Sequence, residues 1–287
     1  MITRLEATHY RCFERLAVDL REFQVIVGAN GAGKTTLLDI PVLLGELLRA
    51  DNLTNVFLVK STDKPIRASS FRQLIFAQQG DDFSFAVEAR LPEEICQQLV
   101  DSICTDSWRG EGIQPWQEEL RNCPDRWPTH IRYELCLQLI NERELRVKHE
   151  LVYVFSKSAV PIWTKDGLQD GNGEPADWHH ILRRESDGTS SLYPEVKESR
   201  GEEVDMTYFR VKPNLLAMSA VIYQDDYYPA ANWLYELLTE KTIFLNPDWS
   251  KLKAASPPGQ EKTIRYCNRF HQCTTAKFGY RRIRLSC

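Results

Sequence analysis

The sequence lacks both kinds of hydrophobic segment that direct a protein to or across a membrane. No apolar run approaches the ~20 residues that span a bilayer. Charged side chains recur from the start of the chain, which excludes the apolar centre of a signal peptide. The early charged residues are Arg4, Glu6, Arg11, Glu14, Arg15, Asp19, Arg21 and Glu22. These absences predict a cytoplasmic protein that does not enter a membrane.

Cysteine is present, but not in an arrangement typical of a metal site. The eight cysteines include no Cys-x-x-Cys pair, and no His/Cys cluster has zinc-finger spacing. Cys267, His271 and Cys273 lie close together in the sequence, but a fourth ligand is not apparent. Free thiols in a reducing compartment are therefore expected.

Neither sign of charge dominates the chain. The 36 Lys and Arg residues are balanced by 40 Asp and Glu residues, which leaves a net charge of −4. Binding to nucleic acid would therefore require a local basic patch or a partner. The length of 287 residues allows one large domain or two smaller ones.

The clearest positive signal is the octet GANGAGKT at residues 28–35, which matches the phosphate-binding pattern G-x-x-x-x-G-K-[ST] in full. The preceding FQVIV, residues 23–27, is rich in β-branched residues and predicts a strand. The apolar spacing after Lys34 predicts a helix, despite Pro41. Strand, glycine-rich loop and helix form the arrangement that phosphate binding requires.

Each residue type in this loop has a physical role. The glycines allow positive φ angles and close approach of a ligand, so that backbone N–H groups face phosphates at a helix N-terminus. Lys34 brings a positive charge to the terminal phosphates, and the Thr35 hydroxyl is suited to Mg²⁺. ATP and Mg²⁺ are the predicted cofactors. The predicted nucleotide-binding residues are Gly28, Asn30, Gly31, Ala32, Gly33, Lys34, Thr35 and Thr36.

The longer stretch GANGAGKTTLL resembles the loop of ABC-type ATPases. The lead-in at residues 2–20 alternates as an edge hairpin does. Its turn HYRCF, residues 9–13, is similar to the opening of RecF/SMC-like ATPases and of related AAA-like predicted ATPases of prokaryotes. The resemblance implies that Arg11 lies near the nucleotide phosphates or an adjacent DNA-facing surface. The alternative is a solvated arginine in a hairpin.

The same resemblance implies a glutamine that touches Mg²⁺ and the attacking water. Gln78 or Gln79, which precede a predicted strand, could fill that role. The sequence Gln-Gln-Gly is also that of an ordinary surface turn, and this alternative stays open.

Alternating and helical spacings outline the rest of the fold. Strands are predicted at residues 83–89, 131–140, 144–155 and 179–183, and helices at 94–103, 214–221 and 232–240. With the resemblance, these elements predict an α/β fold: an ABC/RecF-like P-loop NTPase lobe with an antiparallel β subdomain. The expected domain covers residues 1–262, divided into the loop region at 1–50, a mainly antiparallel region at 71–212 and a helical region at 213–262. The remaining residues, 263–287, are expected to be an aberrant or disordered tail.

Hydrolysis in such ATPases needs an apolar strand ending in Asp-Glu, which holds Mg²⁺ and orients the attacking water. The best candidates for catalytic carboxylates are Asp225 and Asp226, but the preceding glutamine breaks the apolar run. The candidate signature SDGTSSL, residues 186–192, has no apolar helix after it.

Beyond Lys262 the sequence has no useful periodicity. One hypothesis is an ATPase truncated before the C-terminal half of its core, whose last residues are out of frame. The alternative is a basic tail that binds nucleic acid.

These features predict an ATP-binding protein of the ABC/RecF/SMC-like class, with weak or absent hydrolysis. The resemblance implies a homodimer that ATP closes head to tail, acting in DNA repair or anti-phage defence with DNA, a nuclease or another effector. The alternative is a non-catalytic, nucleotide-gated module that regulates a partner nuclease or other effector. A small-molecule kinase would need an arginine-rich lid, which is not evident.

Overall fold

An antiparallel sheet of eight strands forms the centre of the computed structural model. The strands along the chain are β1 (Ile2–Tyr10), β2 (Phe13–Asp19), β3 (Asp82–Arg90), β4 (His130–Ile140), β5 (Glu144–Phe155), β6 (His179–Arg184), β7 (Thr189–Leu192), β8 (Glu198–Ser199), β9 (Glu202–Glu203) and β10 (Thr207–Arg210). Their order in the large sheet is β10-β7-β6-β5-β4-β3-β1-β2, while β8 and β9 pair separately. The first strand, β1, therefore lies inside the sheet.

The structure describes residues 1–58, 67–105, 121–124, 127–156, 179–196, 198–199, 202–203, 205–223 and 227–244. The chain separates into a unit spanning Met1–Thr242 and a second unit, Ile243–Cys287. Only the first two residues of the second unit are described. The candidates Asp225 and Asp226 and the predicted tail at residues 263–287 thus lie outside the described residues.

Helices cover the apolar face of the sheet. They are α1 (Lys34–Leu48), α2 (Leu53–Leu58), α3 (Glu93–Thr105) and α4 (Pro229–Thr239), with short 3₁₀ turns at Phe71–Leu74, Phe76–Gln78 and Met218–Tyr223. Helix α1 packs against α4, α4 reaches β4, and α2 reaches β5. The approach of α1 to α4 is close at Gly45, where a Cβ atom would lie 2.2 Å from the carbonyl oxygen of Leu238.

Period-two alternation decides which side chains of the central strands meet these helices. Phe83, Phe85 and Val87 of β3 are buried on one face, and their register partners in β4 are Leu137, Leu135 and Tyr133. Burial of this apolar surface is the main favourable contribution to folding.

The opposite face carries a buried cluster of charges across three strands. The guanidinium of Arg132 donates to Glu6 at 2.7 Å, to Glu88 at 2.5 Å and to Glu134 at 2.5 Å. Tyr153 donates to the Glu134 carboxylate at 3.3 Å. Because a buried charge is costly unless it is paired, this cluster fixes the register of β1, β3 and β4 relative to one another.

Two buried carboxylates attach distant segments to the sheet. Glu150 of β5 accepts hydrogen bonds from the backbone N–H groups of Ala217 at 2.6 Å and Met218 at 2.9 Å. Glu195 accepts from the N–H groups of Ala230 at 2.6 Å and Ala231 at 2.9 Å, in the first turn of α4. The first contact organises the 3₁₀ turn, and the second caps the helix that packs on α1.

Several predictions of local structure are confirmed. The early hairpin is β1 and β2, the strand at 83–89 is β3, and the hairpin at 131–155 is β4 and β5. The helices predicted after Lys34 and at residues 94–103 and 232–240 are α1, α3 and α4.

Other predictions are wrong. Residues 23–27 form no strand, because no described segment pairs with them. Residues 214–221 contain a 3₁₀ turn rather than an α-helix. The early hairpin and the antiparallel region share one sheet, because β1 pairs with β3.

Candidate phosphate-binding site

The loop between residues 28 and 33 leads directly into α1. Gly31 and Gly33 have φ angles of 82° and 86°, in the left-handed region that favours glycine. Gly33 is the N-cap of α1 and makes no side-chain capping bond, and the first turn holds no acidic residue. The helix ladder starts with the Leu37 N–H, which donates to the Gly33 carbonyl at 2.8 Å. The N–H groups of the preceding turn therefore have no intrahelical acceptor and can bind an anion.

The Lys34 side chain folds back over this loop. Its ammonium group donates to the carbonyl oxygens of Gly28 and Ala29, each at 2.7 Å. The loop carbonyls thus hold the cation beside the open N–H groups of α1. Because both acceptors are neutral carbonyl groups, the described structure gives the positive charge of Lys34 no carboxylate partner.

The turn between β1 and β2 lies against the loop. Arg11 has a φ angle of 51°, and its N–H donates to the Leu74 carbonyl at 2.8 Å. A Cβ atom at Gly33 would lie 2.7 Å from the Cys12 sulfur and 2.8 Å from the Phe13 ring. The turn therefore leaves no room for a side chain at position 33, and the left-handed arginine next to it carries the kind of backbone strain that concentrates at functional sites.

Gln73, which lies outside the motif, also lines the space beside the loop. The Gln73 side-chain oxygen accepts from the Ser69 N–H at 2.9 Å and the Ser69 hydroxyl at 3.1 Å. The loop, the turn and this glutamine enclose an open cavity of about 550 Å³. Its lining residues are Arg11, Cys12, Asn30, Gly31, Gly33, Lys34, Thr35, Thr36 and Gln73.

The charged side chains that line the cavity are both positive. Arg11 and Lys34 are cationic, and no acidic residue belongs to the described lining. The nearest helical carboxylate, Asp39, is paired instead with Arg67 at 2.7 and 2.9 Å. Burial raises the pKa of Tyr10, beneath the turn, so its phenol stays neutral. The cavity is suited to a small polyanion.

The structure brings most of the predicted binding residues together. Arg11 lines the same cavity as the loop, while Gly28 and Ala32 belong to the loop but not to the lining. Gln78 and Gln79 lie outside the lining, in an exposed turn where Ala77 and Gln78 have φ angles of 50° and 57°.

Gln73 and Cys12 were missed by sequence reasoning. Long-range contacts of the β1–β2 turn with Leu74 and Ile75 bring the Gln73 segment to the loop. No local sequence signal indicates these contacts.

The role of the Thr35 hydroxyl as a Mg²⁺ ligand stays a prediction. Among the described residues, no group of three or more His, Cys, Asp or Glu side chains could hold a metal ion. No described helix combines the length and apolar character needed to cross a bilayer.

Comparisons with known proteins do not show a family. No family model matches the chain, and no protein with a curated description matches it. Among solved structures, the chain is similar to one from a study of ATP-driven dimerization and DNA-stimulated activation of SMC ATPases. The identity is 16%, the alignment covers 89% of this chain and 92% of that one, and the TM-score is 0.30. A likeness at this score carries no argument about function.

Proposed function

We propose that the chain binds Mg·ATP at the loop of residues 28–36. The observation that carries this proposal is the convergence of the open α1 N-terminus, Lys34 and Arg11 on one exposed cavity with no acidic lining residue in the described structure. Backbone N–H groups and two cations are the donors that phosphate groups require.

On binding of the nucleotide, groups of the loop would exchange their present hydrogen-bond partners for phosphate oxygens. The phosphates accept the N–H groups at the start of α1, and Lys34 leaves the Gly28 and Ala29 carbonyls to reach the terminal phosphates. Arg11 approaches the same phosphates from the β1–β2 turn, and Thr35 supplies a hydroxyl to Mg²⁺. The resemblance of the loop to that of ABC-type ATPases supports ATP as the nucleotide.

We infer binding without efficient turnover. The described lining holds no carboxylate that could orient an attacking water. The Gln73 amide oxygen accepts two hydrogen bonds from Ser69 and is a weak base. A head-to-tail dimer closed by ATP, and a role with DNA or a nuclease, are further proposals that rest on the resemblance alone.

Titration of the full chain with a fluorescent ATP analogue in the presence of Mg²⁺ tests the proposal. Lys34→Ala should weaken binding at least tenfold, about 1.4 kcal/mol. Lys241→Ala is the matched control, because this exposed lysine pairs with Glu236 at 2.9 Å and should bind as the wild type does. Phosphate release by the wild type should equal that by Lys34→Ala. Equal nucleotide affinity in all three proteins would refute the proposed site.

A further inference from the structure

The side-chain amide of Gln73 lines the cavity beside the loop and is fixed at one end. Its oxygen, Oε1, accepts from the Ser69 N–H at 2.9 Å and from the Ser69 hydroxyl at 3.1 Å. Because a backbone N–H can only donate, the amide atom that faces it is the oxygen and not the nitrogen. The nitrogen, Nε2, therefore keeps two N–H donors that neither of these bonds uses.

The short 3₁₀ turn that carries Gln73 is anchored at the residues on either side of it. Leu74 is buried, and its carbonyl oxygen accepts from the Arg11 N–H at 2.8 Å. Arg72 donates to the Glu142 carboxylate, in the turn between β4 and β5, at 2.8 and 3.0 Å. These contacts hold position 73 next to the β1–β2 turn, which brings Arg11 to the same cavity.

We propose that the Gln73 amide donates a hydrogen bond from Nε2 to a phosphate oxygen of the bound nucleotide. This contact rests on the proposed function, because it requires phosphates in the cavity. The two charged side chains of the described lining are cations, so an anion is the ligand that this cavity favours. No hydrogen bond within the described structure uses Nε2, and its two N–H groups suit the oxygens of such an anion.

Ser69 determines which end of the amide meets the phosphates. The two Ser69 donors occupy both lone pairs of Oε1, so the acceptor end of the amide is held away from phosphate oxygens that would repel it. The same two bonds leave Oε1 no lone pair for Mg²⁺. The contact thus differs from the one that the resemblance implies for Gln78 or Gln79, in which a glutamine touches Mg²⁺ and the attacking water.

Exchange of the amide for a carboxylate tests this contact on the full chain. Gln73→Glu keeps an acceptor for both Ser69 donors but replaces the N–H donors with an anionic oxygen. This variant should weaken Mg·ATP binding by at least about tenfold, because like charges in close proximity repel strongly at a protein surface. Gln73→Ala removes the donors without adding charge and should weaken binding by roughly threefold to tenfold.

Asn52→Asp is the matched control for the added charge. Asn52 lies outside the described lining, and its Oδ1 accepts from the Thr54 N–H at 2.9 Å. The same exchange of amide for carboxylate therefore preserves its hydrogen bond, and this variant should bind Mg·ATP as the wild type does. Because Gln73 is exposed, its variants should fold, and urea denaturation of each protein checks that they do.

Magnesium tripolyphosphate distinguishes a contact with phosphate from a contact with the base or the ribose. It is used as a competitor of the fluorescent ATP analogue and offers phosphate groups alone. Gln73→Glu should weaken the binding of tripolyphosphate by the same factor as the binding of Mg·ATP. Weakened ATP binding with unchanged tripolyphosphate binding would assign Gln73 to the base or ribose and overturn the proposal, as would a wild type in which tripolyphosphate does not compete.

Comparison with Lys34→Ala distinguishes failure of this contact from failure of the ATP site. If Lys34→Ala weakens binding but Gln73→Glu binds as Asn52→Asp does, the ATP site stands and the Gln73 contact is refuted. If the wild type and Lys34→Ala bind Mg·ATP equally, the proposed site is refuted and the Gln73 contact with it.

Discussion

The buried carboxyl group of Glu195 should make stability fall as pH rises towards 8. It caps the N-terminus of α4 through the N–H groups of Ala230 and Ala231. Burial raises its pKa from 4.5 to about 8, although the two N–H donors act in the opposite direction. The nearby phenol of Tyr228 is affected as well, since burial and the charge of Glu195 raise its pKa to about 12.

The sign of the effect follows from proton binding. Between pH 4.5 and about 8 the folded chain holds a proton on Glu195 that the unfolded chain has released, so the free energy of unfolding decreases as pH rises. At 1.36 kcal/mol per pH unit, the loss between pH 5 and pH 8 is roughly 4 kcal/mol. The contribution is fully present below pH 4.5.

Glu195→Gln isolates this contribution. The amide keeps one acceptor oxygen for the helix and cannot ionise, so any lost hydrogen bond adds a constant that does not vary with pH. Urea denaturation of both proteins from pH 5 to pH 8 should give curves whose difference changes by several kcal/mol, because other titrating groups cancel. A constant difference would refute the reasoning, since it would mean that the helix N–H groups outweigh burial and keep the carboxylate ionised throughout.

Two further substitutions test the packing of the fold. Gly45→Ala should lower the free energy of unfolding by roughly 2 kcal/mol, because its methyl group would lie 2.2 Å from the Leu238 carbonyl oxygen. The control is Leu38→Ala, at an exposed position of the same helix, which should change the free energy of unfolding by less than about 1 kcal/mol. An unchanged urea midpoint for Gly45→Ala would contradict the close contact. Arg132→Ala should cost about 3–5 kcal/mol at pH 7, because it leaves the carboxylates of the buried cluster without their cation. The loss should shrink at pH 4, where the Glu88 carboxylate, whose pKa burial raises, takes up a proton. A loss of the same size at both pH values would argue against the electrostatic cause.

Local patterns predicted the strands whose partners are their neighbours in sequence. The hairpin of β4 and β5 follows from alternation and a short polar link, in which Asn141 and Glu142 adopt φ angles of 48° and 60°. The glycine loop and α1 were likewise predictable, because φ preferences and helical spacing act within a few residues.

The predictions of local structure that were wrong concern segments whose conformation depends on contacts distant in sequence. Residues 23–27 have strand-forming side chains, but a strand also needs a pairing partner, and none is among the described segments. The turn at Met218–Tyr223 departs from a regular helix where Glu150 captures two backbone N–H groups from a strand far away in sequence. The position of Gln73 beside the loop likewise depends on a contact distant in sequence, and the role of Gln78 or Gln79 stays a prediction.

The place of β1 between β2 and β3 governs the order in which the sheet can form during synthesis. β1 can pair with β2 as soon as both are synthesised. Its other edge has no partner until β3, which ends at Arg90, has left the ribosome. At synthesis rates of roughly 5–20 residues per second, that edge and the apolar side chains of Leu5 and Ala7 stay uncovered for on the order of ten seconds. The nascent chain therefore passes through an interval in which holdase chaperones have a hydrophobic edge to bind, before β3 closes over it.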